Sequence, residues 1–254
     1  MMKIYLLSVI AVCFSSAANA QDFIQKGTIE FDKKISLRKS VSEQMPNADK
    51  TYLNNFQEYS TEKRVLYFSG NNTMYGPWPG HEELFYATLN PMIWSDLTNG
   101  KVVFKADNLL FKGVYEDSLK KIRWKILDET RTIAGFKCRK ATGVMLDSVV
   151  VVAFYCPEII AQGGPEIFNG LPGMILGLAI PRLYTTWFAK SIMIEEPNAA
   201  NFKVALSKNE KIVPVSEIRK LWRSKFDPKG RSGMTDEHLN TILKGLLYKV
   251  PQGE

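Results

Sequence analysis

The sequence predicts a mainly β (α+β) fold, a curled antiparallel sheet or open half-barrel with C-terminal helices. Three observations predict it. Short apolar runs recur at close spacing, and several alternate apolar with polar residues as half-buried strands do. Turn-forming residues sit between neighbouring runs, which makes hairpins and therefore antiparallel pairs. Helical spacing, with apolar residues three and four apart, is confined to the C-terminal part.

The elements follow in order. Lys3 precedes an apolar run from Ile4 to Phe14, and small residues stand at Ala18 and Ala20. This predicts a signal peptide over residues 1–20, cut before Gln21. The run is too short for a membrane span, which needs about 20 residues. Lipidation at Cys13 is the rival reading. Val12 stands where a small residue is usual, so cleavage near Ala20 is preferred. The mature chain, 21–254, is then a periplasmic or secreted protein, and no Pro-, Gly- or Ser-rich boundary divides it.

Thr28-Ile29-Glu30-Phe31 alternates as a strand should. Ser40 to Thr61 is polar and predicts a long loop with a helical turn around Tyr52. Arg64 to Ser69 predicts a strand, and Gly70 to Gly80, with its Asn and Pro residues, a loop. Met92-Ile93-Trp94 and Val102-Val103-Phe104 flank Asn99-Gly100, a hairpin signal. Further apolar runs stand at Leu109 to Phe111 and Trp124 to Ile126. Phe136 to Val144 and Val149 to Tyr155 predict a second hairpin turning near Asp147, and Tyr184 to Ile194 and Phe202 to Leu206 two more strands. Ser216 can cap a helix that Asp227-Pro228 ends, and Thr235 a second with Leu239, Ile242, Leu243 and Leu246 on one face.

The formal charge is +7, or +6 once Lys3 leaves with the signal. A basic stretch holding Arg219, Lys220, Arg223 and Lys225 reads as a solvated helix face or as an interface for an anionic partner. Nucleic acid is a poor partner for an exported chain. Cys138 and Cys156 remain after the signal is removed. On a hairpin centred at Asp147 they face each other, within reach of a disulfide in an oxidising compartment.

Little else carries chemistry. The chain has two histidines, His81 and His238, and neither stands in a zinc-binding pattern. No GxSxG elbow is present. Asp128-Glu129 and Glu195-Glu196 alternate faces in a strand and form no dyad. The sequence therefore nominates no catalytic residue, metal ligand or cofactor site.

The most distinctive stretch runs from Gly163 to Leu178. Its glycines free the backbone, Pro165 and Pro172 stiffen the turns, and Leu171, Met174, Ile175 and Leu176 resist exposure. This pattern predicts a tight turn tucked against the core and leading into a strand. It lacks the Lys-Ser/Thr of a P-loop and the spacing of a dinucleotide site. Gly164, Pro165, Gly170, Leu171, Pro172, Gly173 and Met174 are thus candidates for either a structural or a binding loop.

Gly170-Leu171-Pro172-Gly173-Met174-Ile175 resembles the signature of the GLPGLI family of secreted Bacteroidetes proteins, with Met for the second Leu. Trp124-Lys125-Ile126, Ile133 to Ala141, Ala153-Phe154-Tyr155 and Gly164-Pro165 extend the likeness in order. The resemblance covers roughly Trp124 to Leu178. It implies export from a Bacteroidetes-type cell and no settled reaction. Three functions stay open at this point. The first is non-enzymatic binding of a hydrophobic ligand (a lipid, acyl chain or peptide) on the concave sheet. The others are docking onto an outer-membrane transporter and, last, hydrolysis.

Overall fold

The computed structural model describes residues 23–80, 91–107, 112–145 and 149–226. The predicted signal peptide, His81, His238, the apolar run at Leu109 to Phe111, the turn at Asp147 and the helix expected from Thr235 lie outside those residues. Among the described residues no helix is long and apolar enough to cross a membrane.

Alternation sets the first strand. In β1 (Lys26–Ile35) Ile29, Phe31 and Lys33 are buried, while Glu30, Asp32 and Lys34 between them are more open. Two short helices follow, α1 (Leu37–Gln44) and α2 (Lys50–Asn54). The turn expected around Tyr52 is α2, capped by Asp49, whose carboxylate accepts from the Tyr52 N–H at 2.7 Å. The polar composition of α1 presents it as loop.

β2 (Ser60–Ser69) turns through Gly70 and Asn71 into β3 (Asn72–Pro77). This corrects the loop expected from Gly70 to Gly80. Asn72 and Pro77 are turn formers, but they begin and end a strand whose Thr73 and Tyr75 alternate inward. β4 (Met92–Asp96) and β5 (Lys101–Asp107) form the first predicted hairpin, with Gly100 at φ +63°. β6 (Lys112–Ser118) follows.

β7 (Arg123–Ile133), β8 (Phe136–Met145) and β9 (Val149–Cys156) form a meander. The β8–β9 register, from Arg139 opposite Tyr155 to Met145 opposite Val149, centres on Asp147 as expected. β10 (Met174–Ile180), β11 (Thr185–Met193), β12 (Ile212–Pro214) and α3 (Val215–Phe226) complete the described chain. The strand expected at Phe202 to Leu206 is absent. Ala199–Phe202 is a 3-10 turn capped by the Asn198 side chain. The Trp94 indole N–H donates to the Asn201 carbonyl at 2.9 Å, so this segment is tied down by a side chain instead of by a ladder.

All the strands join one open sheet in the order β12-β6-β5-β4-β3-β2-β1-β11-β10-β9-β8-β7, antiparallel throughout except for β12 on β6. Its ends, β12 and β7, do not pair, so the sheet is not closed into a barrel. Two transverse rows define the inner face. One runs Ile29, Leu66, Tyr75, Ile93, Phe104, Tyr115 across β1 to β6, all buried. The other runs Ala141, Ala153, Leu178, Trp187, Lys33, Glu62 from β8 to β2. The first is the apolar core. The second carries charge into it.

Candidate functional site

The segment between β9 and β10 fills the inner face where the second row lies. Gly163 to Phe168 are buried without a break, and Leu171 and Gly173 are buried beyond them. Its backbone is satisfied on both sides. The Ile175 N–H donates to Gly163 O at 2.9 Å, Met174 to Ile159 O at 2.9 Å, and Gly170 to Gln162 O at 3.2 Å. Two glycines are required. A Cβ on Gly173, at φ +146°, would fall 2.1 Å from the Cys156 carbonyl oxygen. One on Gly164 would fall 2.7 Å from Ile175 Cβ. Of the predicted loop residues, Gly164, Pro165, Leu171, Gly173 and Met174 are buried, while Gly170 and Pro172 are exposed at the tip. The stretch is a plug packed into the sheet, and Trp124 of β7 holds its tip by donating from Nε1 to the Asn169 carbonyl at 2.9 Å.

At the plug's centre lies a cluster that sequence reasoning missed. Lys33, Glu62, Arg64 and Glu166 are 3%, 8%, 0% and 6% exposed. Lys33 Nζ stands 3.3 Å from Glu166 Oε1 and 3.8 Å from Glu62 Oε2. Arg64 Nη2 donates to Glu62 Oε2 at 2.7 Å. The four charges cancel, which is what lets them stay buried. Glu166 reaches in from a left-handed backbone, φ +55°, unusual for a residue with a side chain.

Two aromatic rings close the cluster. Lys33 Nζ lies 5.6 Å from the Trp187 ring centroid. Burial, then the neighbouring Glu166 carboxylate, holds the Tyr75 phenol well above its ordinary range. The Trp187 indole opposes part of that rise by hydrogen-bonding the Tyr75 hydroxyl. The signal for the cluster was strand phase. Lys33 is in register with Ile29 and Phe31, and Glu62 and Arg64 with Leu66 and Phe68, so period two already turned these charges inward.

Cys138 and Cys156 are buried thiols at the end of β8–β9, one rung beyond Arg139 and Tyr155. A hydrogen bond from Cys138 draws Cys156 down to about 7, and the same bond pushes Cys138 up. Both thiols are free, on paired antiparallel strands whose ordinary spacing lies within disulfide range.

The basic stretch Arg219, Lys220, Arg223 and Lys225 lies on α3, with Lys220 exposed. Beside the start of α3 a cleft of about 250 Å³ is lined by Lys101, Glu116, Asp117, Ser118 and Ser216 among others. Among the described residues no group of three or more His, Cys, Asp or Glu gathers as a metal site. Asp128 and Glu129 are ion-paired to Arg139 at 3.6 Å and Lys140 at 2.7 Å, not to a shared substrate position.

Residues 143–177 match the family described as Porph_ging, a protein of unknown function. The match covers the end of β8, β9, the plug and the start of β10. No curated protein matches the chain. Among solved structures, PNGF-II is similar in two crystal forms, at 15% identity over 79% of this chain. The TM-scores are 0.51 in the C2 form and 0.52 in the P21 form. The chain spans about a third of PNGF-II, 33% and 34% in the two forms, and the likeness is one of β-rich fold. An uncharacterized conserved protein from Thermus thermophilus aligns at 6% identity and a TM-score of 0.40, over 76% of this chain and 93% of that one.

Proposed function

We propose that the protein is an exported, non-enzymatic module of the cell envelope, of the GLPGLI type, that docks onto an outer-membrane protein. The observation that carries this reading is the plug. A carrier needs an open apolar face, and here Ile167, Phe168 and Leu171 of the chain itself occupy the inner face. A lipid or acyl chain bound there would have to lift these side chains out, each worth about 2 kcal/mol of burial. It would also have to part Glu166 from Lys33, leaving buried charges uncompensated at about 3–5 kcal/mol. Export rests on the signal-like N-terminus, and the GLPGLI assignment on Gly170 to Ile175, with which the match over 143–177 is compatible. The hydrolase reading rests on His81 and His238, which lie outside the described residues, and gains nothing from the cluster, whose charges are spent on one another.

Native mass spectrometry of the protein purified from its own periplasm tests this reading, together with isolation in mild detergent from the envelope. The bare mature polypeptide, with a stoichiometric complex to one outer-membrane protein in detergent, is the expected result. A stoichiometric lipid, acyl chain or peptide released on denaturation, with no such complex, would overturn it in favour of a carrier.

A further inference from the structure

The net charge of this protein is concentrated in one ribbon. Residues 120–140, from the approach to β7 through the first half of β8, hold eight lysines and arginines against two acids, a net of +6 where the whole chain carries +7. Both acids are already engaged by Arg139 and Lys140. Lys121, Arg123, Lys125, Arg131, Lys137 and Arg139 are exposed.

This ribbon is also an edge. β7 is the last strand of the sheet, and among the described residues it pairs with β8 alone. Along its eleven residues only Ile133 is buried. Half of its backbone hydrogen-bonding groups therefore face away from the sheet, a template for another strand. The edge is interrupted. Pairing with β8 breaks between Ile126 and Thr130, a bulge of the kind that discourages indiscriminate pairing. Two regular stretches remain, Arg123–Ile126 and Thr130–Ile133.

The placement of the charges selects the occupant. Trp124 and Ile126 share the inner side of β7, which turns Arg123 and Lys125 outward. Across the bulge, Thr130 opposes Arg139 and Thr132 opposes Lys137, while Arg131 opposes Cys138 and lies over the outer Phe188 ring at 4.8 Å. The basic side chains thus emerge on both faces of the ribbon. A flat anionic surface can meet only one face at a time. A strand added beside β7 alternates its side chains between the faces and can meet both. The same charges repel a second copy of this chain, whose β7 is equally basic.

We infer that the β7 edge is a strand-addition site for an extended acidic peptide segment of a partner protein. The inference rests on the docking reading and names its surface: backbone hydrogen bonds supply pairing, and the basic ribbon selects Asp- or Glu-rich strands over neutral or basic ones.

The test uses the mature protein and a labelled peptide of alternating glutamate and threonine, about as long as β7, read by fluorescence anisotropy. Binding is expected, weakening by about tenfold from low to physiological salt as exposed charges are screened. It should be lost when the peptide is N-methylated along one edge, because that removes pairing donors and leaves charge intact. The Lys121→Glu/Lys125→Glu variant, whose ribbon keeps six basic against four acidic residues, should bind the acidic peptide at least about tenfold more weakly, and an unchanged urea midpoint shows that the variant is folded. Equal binding of the N-methylated peptide, or no peptide binding alongside capture by phosphatidylglycerol vesicles, overturns strand addition. Those failures leave docking through another surface standing, because the envelope complex is measured separately.

Discussion

Replacing Glu166 by Gln should destabilise the fold far more than an ordinary surface change. Lys33 lies between two carboxylates, 3.3 Å from Glu166 and 3.8 Å from Glu62. With an effective dielectric of about 20, the nearer pair attracts by about 5 kcal/mol before desolvation is counted. The mutation leaves one surplus positive charge among groups with almost no access to water, and breaking such a pair costs about 3–5 kcal/mol. Removing both partners is a different case. In Lys33→Met/Glu166→Gln the remaining Arg64 and Glu62 still cancel, and the plug keeps its apolar contacts. The double variant should therefore be at least about 2 kcal/mol more stable than the sum of the singles predicts. Urea unfolding of the protein and the three variants, followed by intrinsic tryptophan fluorescence, gives all four free energies. A cost under about 1 kcal/mol for Glu166→Gln, or strict additivity in the cycle, would refute the claim that the plug is held by buried charge.

Three further predictions follow from the same geometry. Gly173→Ala places a Cβ 2.1 Å from the Cys156 carbonyl at a φ of +146°, so the chain must shift, and its thermal midpoint should fall by well over that of Pro172→Ala at the exposed tip. Oxidised protein should unfold at higher denaturant than protein kept in reductant, by about 3 kcal/mol for a loop of this length, with mass spectrometry reporting the loss of two hydrogens. Two free thiols remaining after treatment with an oxidant would refute it. In reductant, Cys156 has a folded pKa of about 7 against an ordinary 9 because Cys138 donates to it. A lowered thiol stabilises the fold fully above the ordinary value and loses that contribution as pH falls through about 7. Reduced protein should thus gain stability from pH 7 to 9, and a flat profile there would contradict the lowered Cys156 thiol.

The hairpins were legible because their signals are local. Asn99-Gly100 fixes one turn, and the pairing of Val149 with Met145 follows from a short connection about Asp147. β3 was not, because Asn72, Gly76 and Pro77 have turn propensities that the neighbouring strands override. α1 was not, because its apolar residues are too few to make a stripe. The motif stretch was legible as a tucked turn from its glycines and apolar residues. What it grips was not, since Lys33, Glu62 and Glu166 come from three distant segments that only the sheet order brings together. The inward phase of Lys33 and Arg64 was still a readable anomaly: a charge in step with Ile29 or Leu66 must have a buried partner somewhere.

Hydrogen–deuterium exchange over Gly163 to Ile175 tests the central claim most directly. If the segment is a plug and not a lid, its amides open only with the sheet. The Met174 and Ile175 N–H groups should then exchange as slowly as those of β9, and adding a lipid or acyl-chain probe should change nothing. Exchange of this segment orders of magnitude faster than β9, slowed again by such a probe, would contradict the account and point to a face that opens to take a ligand.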